Sequence, residues 1–220
     1  IEGVNVEALE KLENEGVKVF PSAATLRKIQ DKSIQKQFYK DHRIPTAAFK
    51  VFANKDALNE AIFRKELHFP FVWKSATGGY DGRGVGVIRN EEDIIPLSDG
   101  PCIAEKLIPF KNELAVIVAR NPSGEVKTYP VVEMEFHPEA NQVEYVICPA
   151  RIDEAVAEKA RAVATKVSKT FEHVGLLAVE MFQTETDDIL VNEVAPRPHN
   201  SGHYSIEASF TNQFEQQIRA

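Results

Sequence analysis

A long amphipathic helix followed at once by two apolar strands most limits how this chain can fold. Residues 176–182 and 189–194 are both apolar, and the acidic pair at 187–188 between them predicts an antiparallel strand pair joined by a turn. Apolar side chains also recur every three or four positions through residues 152–173, and such a stripe has to be buried against another element. We therefore predict a helix with one buried face, followed by an antiparallel strand pair. The stripe consists of Ile152, Val156, Ala160, Val163, Val167 and Phe171.

Shorter helices and strands alternate in the middle of the chain. Residues 47–107 predict a β-α-β-β-α-β order, which is typical of a small sub-domain. Three further strands are predicted at residues 113–120, 126–134 and 143–148, with a turn at 121–124. Together these elements predict a small sub-domain followed by a block that consists mostly of strands.

The N-terminal part predicts helices and one short strand. Residues 17–20 read as the strand, which Pro21 ends. Asp31 is suited to cap the helix that follows, and we expect Ile34 and Phe38 of that helix to face the core.

The charge balance limits the classes of partner. The 220 residues carry 26 Lys+Arg against 33 Asp+Glu, a formal net charge of −7. This excess of acid argues against a nucleic-acid partner. No apolar run approaches the roughly 18 residues that suggest a membrane span, so we expect no membrane partner.

The cysteines and the two ends of the chain add two expectations. Cys102 and Cys148 lie in apolar runs without CxxC spacing, so we expect reduced thiols and a cytoplasmic protein. The chain begins with Ile1 rather than Met and ends within a helical pattern. We expect a piece of a longer protein.

A glycine-rich segment, TGGYDGRG at residues 77–84, lies between two predicted strands. Glycines let the backbone approach an anion closely, and Lys74 and Arg83 bring cationic groups to the same place. The segment returns to a strand instead of opening a helix, so it is neither a Walker A loop nor a dinucleotide-binding fingerprint. The alternative is an ordinary β-hairpin with turn glycines.

Two carboxylates form the second candidate site. If the last hairpin centres on residues 186–188, Glu180 and Glu193 lie opposite each other within apolar strands. A buried pair of like charges needs a cation, and two carboxylates with the amide oxygen of Asn192 suit Mg²⁺. The alternative is two solvated acids on a strand face.

Two more segments are candidates. The loop APRPHNSGHY at residues 195–204 is rigid and polar, so Arg197 is suited to hold an anion and His199 and His203 to donate protons. The alternative is a surface loop with incidental polar groups. Residues 105–108 join two predicted sub-domains, where backbone often meets a ligand.

These residues carry a resemblance that extends over nearly the whole chain. QDK at 30–32, Lys74 with GGYDGRG at 78–84, and NEVAPRPHNSGH at 192–203 occur in the order of the motifs of the ATP-grasp ligases. The chain resembles the N5-carboxyaminoimidazole ribonucleotide synthetases among them most closely. The resemblance implies the ATP-grasp fold, in which two α+β sub-domains grip ATP between them.

The resemblance also implies a division of the chain. We expect the tail of an N-terminal domain (1–21), connecting helices (22–46), a small lid sub-domain with the glycine-rich loop (47–107) and a large sub-domain with the metal site (108–220). The family's small C-terminal domain is not expected in this chain.

Site residues follow from the same resemblance. Lys74 belongs with the phosphates, residues 105–108 with the adenine and Glu113 with the ribose. The implied catalytic residues are Arg197, His199 and Lys74, and the implied magnesium ligands are Glu180 and Glu193. The implied ATP-binding residues are Lys32, Lys74, Gly79, Tyr80, Asp81, Gly82, Arg83, Gly84, Glu105, Lys106, Leu107, Ile108, Glu113, Asn192 and Glu193. The implied substrate-binding residues are Tyr80, Asp81, Arg83, Arg197, His199 and Ser201.

The activity implied by the resemblance is a ligation in de novo purine biosynthesis. ATP and bicarbonate carboxylate 5-aminoimidazole ribonucleotide through carboxyphosphate, with ATP and Mg²⁺ as cofactors. The full-length protein is expected to form a homodimer. Two alternatives stay open: a formate-activating ATP-grasp ligase of the same pathway, and a nucleotide-binding module that is inactive without its flanking domains. The role of His137 also stays open.

Overall fold

The computed structural model describes residues 3–78, 84–136 and 143–220. The helices in these ranges are α1 (Val6–Asn14), α2 (Ala23–Gln30), α3 (Lys32–Asp41), α4 (Lys55–Phe63), α5 (Glu154–Phe171), α6 (Ser205–Ala208) and α7 (Gln213–Arg219). Short 3-10 turns lie at Glu91–Ile94 and Asn200–Gly202. The strands are β1 (Phe49–Phe52), β2 (Phe71–Ser75), β3 (Val85–Ile88), β4 (Cys102–Lys106), β5 (Phe110–Arg120), β6 (Val126–Thr128), β7 (Val132–Phe136), β8 (Val143–Ile147), β9 (Gly175–Thr184) and β10 (Ile189–Ala195).

The smaller sheet orients two of the predicted site residues. Its strands run in the order β1-β4-β2-β3, and neighbouring strands are antiparallel. Trp73 of β2 and Ala104 of β4 pack into the apolar core beneath α4. Because successive side chains of a strand point to opposite faces, Lys74 and Glu105 both lie on the face away from that core.

The larger sheet runs in the order β10-β9-β5-β7-β8, with β6 paired to β5. Helix α5 packs on one face, where Val116, Val167 and Val179 share the main core. This confirms the predicted helix with its buried stripe and the predicted antiparallel strand pair. Ala115 and Ala178 lie on the opposite face of the sheet, in separate apolar clusters.

Three predictions about local structure are wrong. Residues 17–20 form no strand. The predicted strand at 126–134 is two strands, because Pro130 has no N–H to donate to a ladder and β6 and β7 pair with different parts of β5. Ile34 is 44% exposed, since α3 turns Gln35 and Lys36 inward instead.

Strand β10 contains a bulge beside the predicted metal site. Val191 pairs with Met181, yet Glu193 pairs with Glu180, so Asn192 is the extra residue. A bulge inserts one residue and re-aims the side chains around it. The predicted opposition of Glu180 and Glu193 is therefore confirmed.

No helix among the described residues is both long and apolar enough to cross a membrane. The four-segment division of the chain stays a prediction.

Candidate functional site

The two sheets meet at the ammonium group of Lys74. Its Nζ lies 3.1 Å from Oε2 of Glu105, on the neighbouring strand of the smaller sheet. It also donates a 2.8 Å hydrogen bond to Oδ1 of Asn192, in the bulge of the larger sheet. Lys74 thereby reaches from one sheet to the carboxylate region of the other.

A second buried lysine, which the sequence analysis missed, completes this cluster. Nζ of Lys36 lies 3.0 Å from Oε1 of Glu105. The carboxylate of Glu105 is therefore held between two ammonium groups, with Lys74 on the other oxygen. Lys36 lies one helical turn after Lys32 on α3, but this spacing does not distinguish it from the exposed Lys40 one turn further on.

Burial and the neighbouring charges shift the pKa values of Lys36 and Glu105 in opposite directions. Burial lowers the pKa of Lys36 to about 8, although the nearby Glu105 carboxylate raises it. Burial alone would raise the pKa of Glu105, but Lys36 and Lys74 outweigh it and the pKa of Glu105 is lowered. Glu105 is therefore an ionised carboxylate, and its side chain forms ion pairs with the two lysines. An adenine contact by this residue would have to use its backbone.

Glu113 lies on the same sheet face as the carboxylate pair. Its neighbour two residues along the strand, Ala115, pairs directly with Glu180. Burial raises the pKa of Glu113 to about 7, while Lys74 lowers it and Glu193 raises it further. A carboxyl group in this state changes its charge close to neutral pH.

The opposed carboxylates of Glu180 and Glu193 differ in their exposure and in their charged neighbours. Oε1 of Glu180 lies 3.2 Å from Nε2 of His199, and both side chains are nearly buried. Glu193 is 42% exposed, and its Oε2 lies 3.9 Å from Nζ of Lys32. The predicted ribose and metal residues thus share one face of the larger sheet, and the predicted phosphate residue Lys74 approaches that face from the smaller sheet.

Of the three predicted oxygen donors to Mg²⁺, the two carboxylates suit the metal and the amide of Asn192 contacts Lys74. Glu180 and Glu193 offer the hard carboxylate oxygens that Mg²⁺ binds together with water and phosphate oxygens. The amide oxygen of Asn192, which we expected beside them, accepts its hydrogen bond from Lys74 instead. Within the described part of the chain, no group of three or more His, Cys, Asp or Glu side chains is arranged to hold a metal. Magnesium binding by the pair stays a prediction.

The predicted histidine is fixed by its own loop and by helix α7. Nδ1 of His199 forms a 2.9 Å hydrogen bond with the hydroxyl of Ser201, which is fully buried. Gln213 binds the backbone of His199 twice, accepting from its N–H and donating to its C=O, both at 2.8 Å. This close packing requires glycine at position 202, where a Cβ would lie 2.4 Å from Oε1 of Gln213.

Arg197 and His203 are the remaining candidates of the polar loop at 195–204. Arg197 is half-buried and donates to the carbonyl of Pro198. His203 is exposed and stacks on Phe214 instead of pointing at the carboxylates.

The segments expected to contact ATP lie at the ends of two strands of the smaller sheet. Lys106 is exposed, and Leu107 and Ile108 are half-buried directly after β4. Gly84 closes the glycine-rich hairpin through its carbonyl, which accepts from the N–H of Ser75. Five predicted residues of that loop (Gly79, Tyr80, Asp81, Gly82 and Arg83) and His137 lie outside the described residues.

Known proteins provide an independent comparison. A sequence model of the ATP-grasp domain matches residues 37–214. The whole chain is 41% identical to phosphoribosylaminoimidazole carboxylase of Saccharomyces cerevisiae, of which it covers 39%.

Two solved structures are similar over all of this chain. N5-carboxyaminoimidazole ribonucleotide synthetase from Thermotoga maritima is 46% identical with a TM-score of 0.86, and the chain covers 56% of it. N5-carboxyaminoimidazole synthase from Aspergillus clavatus, in complex with ADP and 5-aminoimidazole ribonucleotide, is 37% identical with a TM-score of 0.90, and the chain covers 57% of it.

The chain therefore spans roughly half the length of these proteins, and less of the yeast one. The predicted α+β ATP-grasp fold is confirmed by the domain match together with these structural similarities. Because that match covers most of its residues, the chain belongs to the ATP-grasp family.

Proposed function

We propose that this chain is the ATP-gripping part of a ligase that carboxylates 5-aminoimidazole ribonucleotide with bicarbonate. The observation that carries the proposal is the bridge from Lys74 to Asn192, beside the opposed carboxylates of Glu180 and Glu193. One cationic group and two carboxylates in a single cleft suit a nucleotide triphosphate with its metal. The similarity to a structure that contains ADP and the aminoimidazole ribonucleotide supports the substrate.

The phosphate end of the proposed site belongs to Lys74 and Lys32. The ammonium of Lys74 has three N–H donors, of which one faces Glu105 and one Asn192, so a third remains for a phosphate oxygen. Lys32 lies at the exposed edge of the carboxylate pair. Fixed positive charge of this kind stabilises the transferring phosphoryl group because it needs no reorganisation during the reaction.

Glu180 and Glu193 are the proposed ligands of Mg²⁺, which would offset the negative charge of the nucleotide phosphates. His199 fixes the orientation of Glu180 through its Nε2. Ser201 in turn fixes the ring of His199.

The proposed reaction activates a poor electrophile. Bicarbonate attacks the terminal phosphorus of ATP, ADP leaves, and carboxyphosphate forms. The amine of the ribonucleotide then attacks the carbonyl carbon, directly or after release of CO₂, and phosphate leaves. We assign Arg197 and His199 to the bicarbonate and ribonucleotide end, as the family resemblance implies, and both lie a few residues after the end of β10. Tyr80, Asp81, Arg83 and Ser201 belong to the same proposed end of the site.

The test is the substrate dependence of ADP release by the full-length protein. We expect ADP release only when bicarbonate and 5-aminoimidazole ribonucleotide are both present with Mg-ATP. Release that requires formate instead of bicarbonate would contradict the proposal and favour the formate-activating alternative.

The isolated 220 residues test the remaining alternative. We expect them to bind Mg-ATP without turnover, because the chain covers 56–57% of the two synthetase structures described above. A cytoplasmic location and a homodimer stay predictions about the full-length protein.

A further inference from the structure

We propose that Lys36 is a positioning residue whose charge offsets Glu105 and so keeps the ammonium of Lys74 available to a nucleotide phosphate. Lys36 does not reach the phosphates in this inference, and it acts only through Glu105. The inference rests on the proposed function, because it assigns Lys74 to the phosphate chain.

Lys36, Glu105 and Lys74 form a buried cluster with an excess of positive charge. The side chains of Lys36, Glu105 and Lys74 are only 2%, 4% and 6% exposed. Two ammonium groups and one carboxylate leave a net charge of +1, and water screens little of it. That surplus charge favours binding of a polyanion at Lys74.

Lys36 and Lys74 contact different oxygens of the Glu105 carboxylate. Its Oε1 is buried and accepts no hydrogen bond among the described residues, while Nζ of Lys36 lies 3.0 Å away. Without the charge of Lys36, Lys74 would be the one ammonium group of this cluster left to offset the negative charge of Glu105. The net charge would fall to zero, and Glu105 would compete with a phosphate oxygen for the Lys74 donors.

A chain of hydrogen bonds holds the ammonium of Lys36 in place. Its Nζ donates a 2.7 Å hydrogen bond to the hydroxyl of Thr46, which donates at 2.7 Å to the carbonyl of Val191. The N–H of Val191 donates to the carbonyl of Pro45 at 2.7 Å. Lys36 is therefore anchored to β10 immediately before the Asn192 bulge, and the position of its charge is fixed relative to both sheets.

Other groups around Lys36 do not replace Glu105. The ring of Tyr39 lies 5.7 Å from Nζ, Lys74 repels it, and the carboxylate of Glu193 acts only through its longer-range charge. The direct charge partner of Lys36 in the described structure is Glu105.

The experiment uses the Lys36→Met variant of the full-length protein, and its matched control is Lys40→Met, at an exposed lysine one turn further along the same helix. We expect KM for ATP to rise about tenfold in Lys36→Met, because one buried charge near the phosphates is lost. The KM for the ribonucleotide and all constants of Lys40→Met should stay unchanged. Equal KM values for ATP in Lys36→Met and wild type would overturn the inference, as would an equal rise of all KM values.

A second variant separates charge from structure. Lys36→Met with Glu105→Gln removes both charges and restores the net charge of +1 at Lys74. We expect Mg-ADP affinity, measured by calorimetry, to return to within about threefold of wild type. An affinity at least about tenfold weaker than that of wild type would contradict the inference, and this comparison with wild type remains decisive if Lys36→Met folds poorly.

The binding measurement also separates this inference from the proposed function. If wild type shows no bicarbonate-dependent ADP release, the proposed function fails. The nucleotide affinities of the Lys36 variants would still support or contradict the role of Lys36.

Discussion

Glu193 lies directly opposite Glu180 across β9 and β10 because Asn192 is an extra residue in the strand. Without the bulge, Asn192 would pair with Glu180. With it, the carboxylates face each other and the amide of Asn192 reaches Lys74. One inserted residue thus brings the two carboxylates opposite each other and provides the contact between the sheets.

The first prediction concerns the metal pair. We expect Glu193→Gln to weaken Mg-ATP binding at least about tenfold, since it removes a charged ligand and the partner of Lys32. Calorimetric titration with Mg-ATP measures the change. Glu158→Gln, on the exposed side of α5, is the control and should bind as wild type does. Similar small effects of both changes would remove Glu193 from the metal site.

The second prediction concerns the packing that fixes His199. We expect Gly202→Ala to lower the free energy of unfolding by about 1–3 kcal/mol, because the added Cβ would overlap the carboxamide of Gln213. Thermal or urea unfolding measures the loss. Gly3→Ala has open space around its Cβ and should leave stability nearly unchanged. An equal stability of the two variants would show that the Gln213 contact is not tight.

The third prediction follows from the raised pKa of Glu113, about 7 in the folded protein against 4.5 in the reference state. The folded state binds this proton more tightly, so the contribution of Glu113 to stability is present below pH 4.5 and is lost as pH rises through about 7. Glu113→Gln keeps a neutral group at every pH. Its stability relative to wild type should therefore be higher at pH 8 than at pH 5 by about 2 kcal/mol.

Urea unfolding at the two pH values measures this difference. The exposed Glu158→Gln variant controls for the loss of a carboxylate and should differ from wild type equally at both. A relative stability of Glu113→Gln that does not change with pH would refute the raised pKa.

The parts of the fold with regular patterns could be predicted from the sequence. The stripe that ends at Phe171 predicted a helix with one buried face, and the apolar runs around Glu180 and Glu193 predicted the hairpin that the structure confirms. Register is strongly specified where one face is buried, which explains this success.

Other features depend on tertiary contacts that no local pattern contains. Lys36 looks like a solvated lysine, and only Glu105, 69 positions away along the chain, makes its burial favourable. Ile34 was expected inward because it is apolar, yet the polar face of α3 turns to the cluster instead. The contact of Lys74 with Asn192 joins residues of different sheets, and neither sequence neighbourhood predicts it.

The central claim is tested most directly by following carbon from labelled bicarbonate in the full-length protein. We predict transfer of the label to 5-aminoimidazole ribonucleotide, with one ADP formed per label transferred, and a loss of both of at least about a hundredfold in Lys74→Met. The exposed Lys40→Met variant should transfer label at the wild-type rate. ADP formation without transfer of label, or undiminished transfer in Lys74→Met, would contradict the account.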